Sequence, residues 1–234
     1  MCAQSSLGIT GATLELGSTE DETGAMQGAF SSSVDVRITS AHGLQGDLSF
    51  SGSQTGTIGQ LGGHLYMVPQ PGQKYGLFIA LSDMDGRSMA WVSAGAEAMF
   101  ALGENTVIEG RLGLGATDRN SGDYIFGGVS LAHAFTPELE VELALDVSDF
   151  DEAGFQATSL ESSLIARYSP KGSPWGVYGS VTRSDLTGHN GAPAQTRIGV
   201  GVTFNLGASG GVDPHTRMFR RTDPVAPLVR RRIW

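Results

Sequence analysis

The side chains best suited to chemistry are scattered along this chain. Its five histidines, His42, His64, His133, His189 and His215, fall in separate segments. Ser130 and His133 are close in sequence, but an odd spacing on a strand sends them to opposite faces, so they make no nucleophile–base pair. Two acidic runs, DMDG at 83–86 and the group Asp149, Asp151 and Glu152, offer hard oxygen ligands of the kind Ca²⁺ or Mg²⁺ takes. Neither has EF-hand spacing, and both read as solvated acidic loops. Gly110, Gly113 and Gly115 lack the Lys-Ser/Thr pair and the strand-to-helix setting of a phosphate loop. Glycines that face inward in a barrel would instead leave room for bulky neighbours or keep a narrow pore open. The expectation is therefore no enzyme, no cofactor and no metal.

The elements that would carry these residues read as strands. In Thr196 to Leu206, the residues Ile198, Val200, Val202, Phe204 and Leu206 share one parity, while Arg197, Gly199, Gly201, Thr203 and Asn205 share the other. Successive strand side chains point to opposite faces, so one face is oily and the other small or polar. Leu139, Val141, Leu143, Leu145 and Val147 alternate in the same way with Glu140, Glu142, Ala144 and Asp146. About twelve such strands are predicted between Leu7 and Leu206. The charged residues Asp35, Arg37, Asp47, Glu97, Glu109, Arg111, Glu140, Glu142, Asp146 and Glu161 fall mainly opposite the apolar parity, which makes them candidates to line a wet interior. No uninterrupted apolar stretch is long enough for a transmembrane helix, a test to which half-apolar strands are blind.

The connections sort by parity. Even-numbered ones are compact and rich in Pro and Gly, at 40–43, 69–73, 103–105, 136–138 and 169–174. Most odd-numbered ones read as longer or more acidic, at 17–28, 83–88, 118–123, 148–154 and 184–195; the one at 51–56 is not acidic. In an up-and-down meander this puts short turns at one end and longer loops at the other. Tyr75, Phe100, Tyr124, Phe135, Tyr168 and Trp175 sit near strand ends, where aromatics suit a membrane interface.

On these residues the chain resembles a Gram-negative outer-membrane β-barrel protein, of the small porin-like or autotransporter-translocator-like kind. Arg197, Gly199, Val202 and Phe204 resemble the assembly signal that such proteins carry in their closing strand. The resemblance implies an all-β fold, a single antiparallel up-and-down transmembrane β-barrel of about twelve strands with a basic C-terminal tail. It implies a place in the cell outer membrane, membrane lipid and lipopolysaccharide as surroundings, and outer-membrane assembly machinery as a partner. The function it implies is a narrow, cation-preferring pore or a structural envelope protein. The alternatives are an autotransporter-like translocator domain and a soluble β-sandwich binding module.

Three segments follow: 1–6 as a leader remnant that holds the single cysteine, Cys2, then 7–207 as the barrel and 208–234 as an Arg-rich, Pro-containing tail expected on the periplasmic side. The tail departs from the resemblance, because many family members end at the closing aromatic. It holds Arg217, Arg220, Arg221, Arg230, Arg231 and Arg232 against Asp213 and Asp223, a formal +4 that leaves −13 on the rest. An acidic body argues against nucleic acid as a partner. Pro214, Pro224 and Pro227 argue against one continuous helix in the tail. Arg220, Arg221, Arg230, Arg231, Arg232 and Trp234 are its docking candidates, with Met218, Phe219, Leu228, Val229 and Ile233 as apolar anchors. It would plug the acidic lumen, bind an envelope protein partner, or stay disordered.

Overall fold

A computed structural model describes residues 8–53, 56–86, 89–118, 122–152, 155–207 and 211–233. Segment 1–6 with Cys2, and Trp234, lie outside the described residues.

Twelve strands follow one another: β1 (Ile9–Asp21), β2 (Met26–Arg37), β3 (His42–Ser53), β4 (Gly56–Gln70), β5 (Gln73–Met84), β6 (Met89–Ala101), β7 (Thr106–Thr117), β8 (Asp123–Ala134), β9 (Leu139–Glu152), β10 (Phe155–Tyr168), β11 (Trp175–Thr187) and β12 (Ala192–Gly207). Each pairs antiparallel with its sequence neighbour, and β12 pairs with β1 to close the barrel. Closure leaves no free sheet edge, so the strand ladder satisfies its own main-chain groups, the condition for crossing a lipid core. One short helix, α1 (Ala226–Arg230), follows in the tail.

The alternation sets the two faces. Ile198, Val200 and Val202 point outward, and so do Leu14, Leu16, Leu77, Ile79, Leu112, Leu114, Leu143 and Leu145, giving an apolar outer wall. A soluble β-sandwich would have turned these residues into a shared core. The buried residues lie inside, in two clusters. One gathers Ile58, Phe78, Met84, Met89, Trp91, Tyr124, Phe126, Phe150 and Leu186 with Val225, Leu228 and Val229 of the tail. The other joins Tyr66, Val68, Met99, Val107 and Ala132 to Phe219. The inner face is thus not uniformly small and polar, as the sequence pattern predicts.

Two further expectations change. The odd-numbered connections are short, with gaps of only 22–25, 54–55, 85–88, 118–122, 153–154 and 188–191, because the strands run on through the acidic segments. Ladder hydrogen bonds need no apolar side chain, so the alternation continues past the oily band. On β9 to β12 and β1 the outward positions become polar there: Asp149, Asp151, Gln156, Thr158, Arg183, Asp185, Thr196 and Glu20. At the opposite, turn end, apolar and aromatic residues reach the strand termini. Trp175 packs on Phe204 (ring centroids 4.6 Å) and Tyr75 on Phe100 (5.6 Å), with Phe135 and Tyr168 exposed beside them. Tyr124 does not belong to this ring. It points inward, its hydroxyl 2.8 Å from Ser93 Oγ. Gly115 makes room for its ring, and Gly113 for Phe126, whose Cζ would lie 2.6 Å from a Cβ there. Gly110 faces outward into open space.

Candidate functional site

The interior of the barrel is occupied by the chain's own tail. The tail enters at the turn end, where β12 finishes, and runs through the lumen to the opposite mouth. At entry His215 Nε2 lies 2.8 Å from Arg37 Nη1, and Lys74 Nζ donates to the carbonyl of Arg217 (2.8 Å). Midway stand Phe219 to Asp223. At the far mouth α1 packs into the larger apolar cluster, and Arg231 donates to the carbonyls of Ser184 and Pro193, at the β11–β12 hairpin. A tail outside the barrel would have left these inner side chains to water.

One wall grips the tail's main chain. Gln45 uses both ends of its amide on Phe219: Oε1 accepts from the backbone N–H (2.8 Å) and Nε2 donates to the carbonyl (2.9 Å). Glu109 Oε1 accepts from Arg220 N–H (3.3 Å), and Gln60 Nε2 donates to the Thr222 carbonyl (2.7 Å). The Phe219 ring stacks on His64 (5.9 Å between centroids) and meets Tyr66 edge-on, with Lys74 Nζ 4.8 Å from its centre. His64 in turn sits between Asp47 Oδ2 (2.7 Å) and Glu97 Oε1 (2.6 Å). An imidazolium donating from both nitrogens serves one oxygen of each carboxylate.

The tail's arginines reach the other wall. Arg217 pairs with Glu140 and Glu142 (2.9 Å each), which Arg167 also contacts. Arg220 pairs with Asp146 (2.6 Å) and Arg221 with Glu15 (2.8 Å). Beyond them, Asp223 Oδ1 accepts from Trp91 Nε1 and from Ala226 N–H (3.2 Å each).

The candidates from sequence fall as follows. Asp35 accepts from the Tyr66 hydroxyl (2.7 Å), and Asp47, Glu97, Glu140, Glu142 and Asp146 face the lumen in the contacts above. Glu109 and Arg111 form a buried pair with each other. Arg232 is exposed at the far mouth and Arg230 lines the interior. In the closing strand Arg197 points inward to Glu161 (3.0 Å), Gly199 lies close to Ser180, and Val202 and Phe204 belong to the outer wall. Sequence reasoning passed over Glu15, Gln45, Gln60, His64, Tyr66, Lys74, Trp91 and Arg167. Their inward parity was readable. What they bind was not, because it arrives from more than 100 residues away in the chain for every one of them except Arg167.

The tail does not fill the barrel. A cavity of about 780 Å³ remains beside it, lined by Thr13, Ser148, Ser159, Ser163, Ser180, Thr182, Thr203 and Asn205 together with the arginine–carboxylate pairs. A second cavity of about 200 Å³ lies on the other side of the Arg221–Glu15 pair, and both cavities border those two residues.

No family model and no curated protein matches the sequence. Solved structures do match in fold. The NanC porin superposes with a TM-score of 0.65, over 82% of this chain and 100% of its own, at 8% identity. The KdgM porin gives 0.58 over 82% and 98%, at 11% identity. The beta domain of the Bordetella autotransporter BrkA gives 0.51 over 86% and 100%, at 12% identity. The likeness is one of architecture: this chain has the closed antiparallel barrel of outer-membrane porins and autotransporter domains.

Proposed function

We propose that this chain is an outer-membrane barrel carrying a narrow water-filled passage beside its own docked tail, with no catalytic role. The observation that carries this reading is the polar cavity of about 780 Å³, enclosed by a barrel whose outer wall is apolar. Its lining runs from Ala134, Pro137 and Gly207 near the turn end to Arg197 and Pro227 toward the other mouth. Hydroxyls dominate one side and paired charges the other, so small hydrophilic solutes fit it best. The tail's arginines offset Glu15, Glu140, Glu142 and Asp146, which weakens the cation preference that the strands alone imply.

Planar bilayers test this. The full chain is expected to give small, long-lived conductance steps with weak ion selectivity. Recovery of the protein without detergent would remove the membrane reading. Detergent-dependent protein with no conductance would leave a structural envelope role. A translocator role is the second reading, favoured by one observation: a segment of the chain threads the lumen from end to end.

A further inference from the structure

We infer that the barrel carries its own C-terminal tail across the membrane, so that the start of β1 and the residues that follow α1 lie on opposite faces, the latter outside. The inference rests on the outer-membrane reading above for its sense of outside, and on the path of the tail for the rest.

The path is fixed by contacts at three levels. Thr10 and Asp35 mark the turn end, where β1 begins and β2 finishes, and there the tail meets Arg37 through His215. The middle is held by Gln45 and His64, one step of the side-chain alternation deeper than the Arg37–Gly43 pair, and by Gln60, two steps deeper again. The far end is held at the hairpin between β11 and β12 by Arg231, and by Leu228 and Val229 among Ile58, Met84, Met89 and Phe150. Each contact follows the last in both sequence and depth, so the tail makes one crossing, and only Ile233, after α1, folds back onto Leu228. It is a thirteenth passage through the membrane plane, made inside the barrel rather than in its wall.

The barrel itself says which mouth faces out. Its turn end is flush, with Trp175, Phe204, Tyr168 and Phe135 at the rim, as an interface ring would be. Its other end stands proud of the apolar band on β9 to β12 and β1, where the outward residues are Asp149, Asp151, Gln156, Thr158, Arg183 and Glu20. Outer-membrane barrels project on their outer side, and with connections short at both ends here the projecting strands give the orientation. The projecting end is where Arg231 and Arg232 emerge, beside an acidic rim that suits them.

Single-cysteine labelling tests the inference in the full chain. In a Cys2→Ala background, Arg232→Cys places a thiol at the projecting mouth, and Lys171→Cys places one in the exposed β10–β11 turn. Intact Gram-negative cells exporting each variant are treated with a membrane-impermeant maleimide, then treated again after permeabilisation. Arg232→Cys is expected to label fully in intact cells and Lys171→Cys only after permeabilisation. An epitope appended after Trp234 gives an independent readout and should bind antibody on intact cells. Labelling of both cysteines from the same side, or of Lys171→Cys alone from outside, overturns the inference. So does an epitope hidden until permeabilisation. These outcomes leave bilayer conductance untouched, so failure here is distinguishable from failure of the pore.

Discussion

Two walls of one barrel do different work. The wall from β3 to β8 turns large side chains inward: Gln45, Gln60, His64, Tyr66, Lys74, Phe78, Trp91, Tyr124 and Phe126. The wall from β9 through β12 to β1 turns in Ser148, Ser159, Ser163, Ser180, Thr182, Thr203 and Thr13, with a few charged residues among them. The first wall holds the tail's main chain and most of its apolar residues, with Phe150 and Leu186 of the second wall joining them at the far mouth. The second touches the tail mostly through long arginine–carboxylate bridges and leaves a passage open. A barrel of one strand pattern therefore becomes half binding surface and half open cavity, and side-chain volume decides which half is which. The charged bridges carry a cost of their own, since removing one partner leaves the other buried and unpaired.

The largest expected effect comes from cutting those bridges. Arg217→Ala with Arg220→Ala and Arg221→Ala leaves Glu15 and Asp146 without an arginine partner, and Glu140 and Glu142 with Arg167 alone. Breaking one buried pair costs about 3–5 kcal/mol, enough in combination to release the tail. Conductance should rise several-fold and become cation-selective, read as a shifted reversal potential under a salt gradient. Unchanged conductance would mean that the tail does not limit the passage.

Phe219→Ala attacks the first wall instead. Emptying an aromatic site of this kind costs about 3–5 kcal/mol. The tail should become sensitive to added protease, and single channels should flicker. Gln45→Ala is milder, because two main-chain bonds go at roughly 1 kcal/mol each. It should give the same phenotype in weaker form. If Gln45→Ala exceeded Phe219→Ala, the grip would lie in the hydrogen bonds and not in the ring.

Ser163→Trp fills the second wall. It should lower conductance while leaving tail protection as it was, which separates the two halves cleanly. A loss of tail protection in this variant would show that they are one coupled unit.

The smallest effect is at Asp223. Its carboxylate accepts from Trp91 and from the Ala226 N–H, and Asp223→Asn keeps an acceptor for both. Tail protection should change little, and a loss as large as that of Gln45→Ala would show that the charge itself holds the tail.

The sequence by itself determined the strands, their number and their two faces. The reason is local: a period of two is written residue by residue, as at Ile198, Val200 and Val202, and it needs no distant partner to be read. It also determined that the tail is basic and the body acidic. The loop reading was right about composition and wrong about extent, because ladder hydrogen bonds carry β1 and β9 through acidic residues where hydropathy would stop them.

The direction of the tail was decided only by the tertiary structure. Nothing near Phe219 in sequence says that Gln45 will hold its backbone or that His64 will hold its ring, some 174 residues away in the first case. Those contacts exist because closure of β1 on β12 brings the inner faces of all twelve strands around one axis. Closure is a property of the whole sheet, and the occupied lumen, the cavity beside the tail and the far-side position of α1 all follow from it.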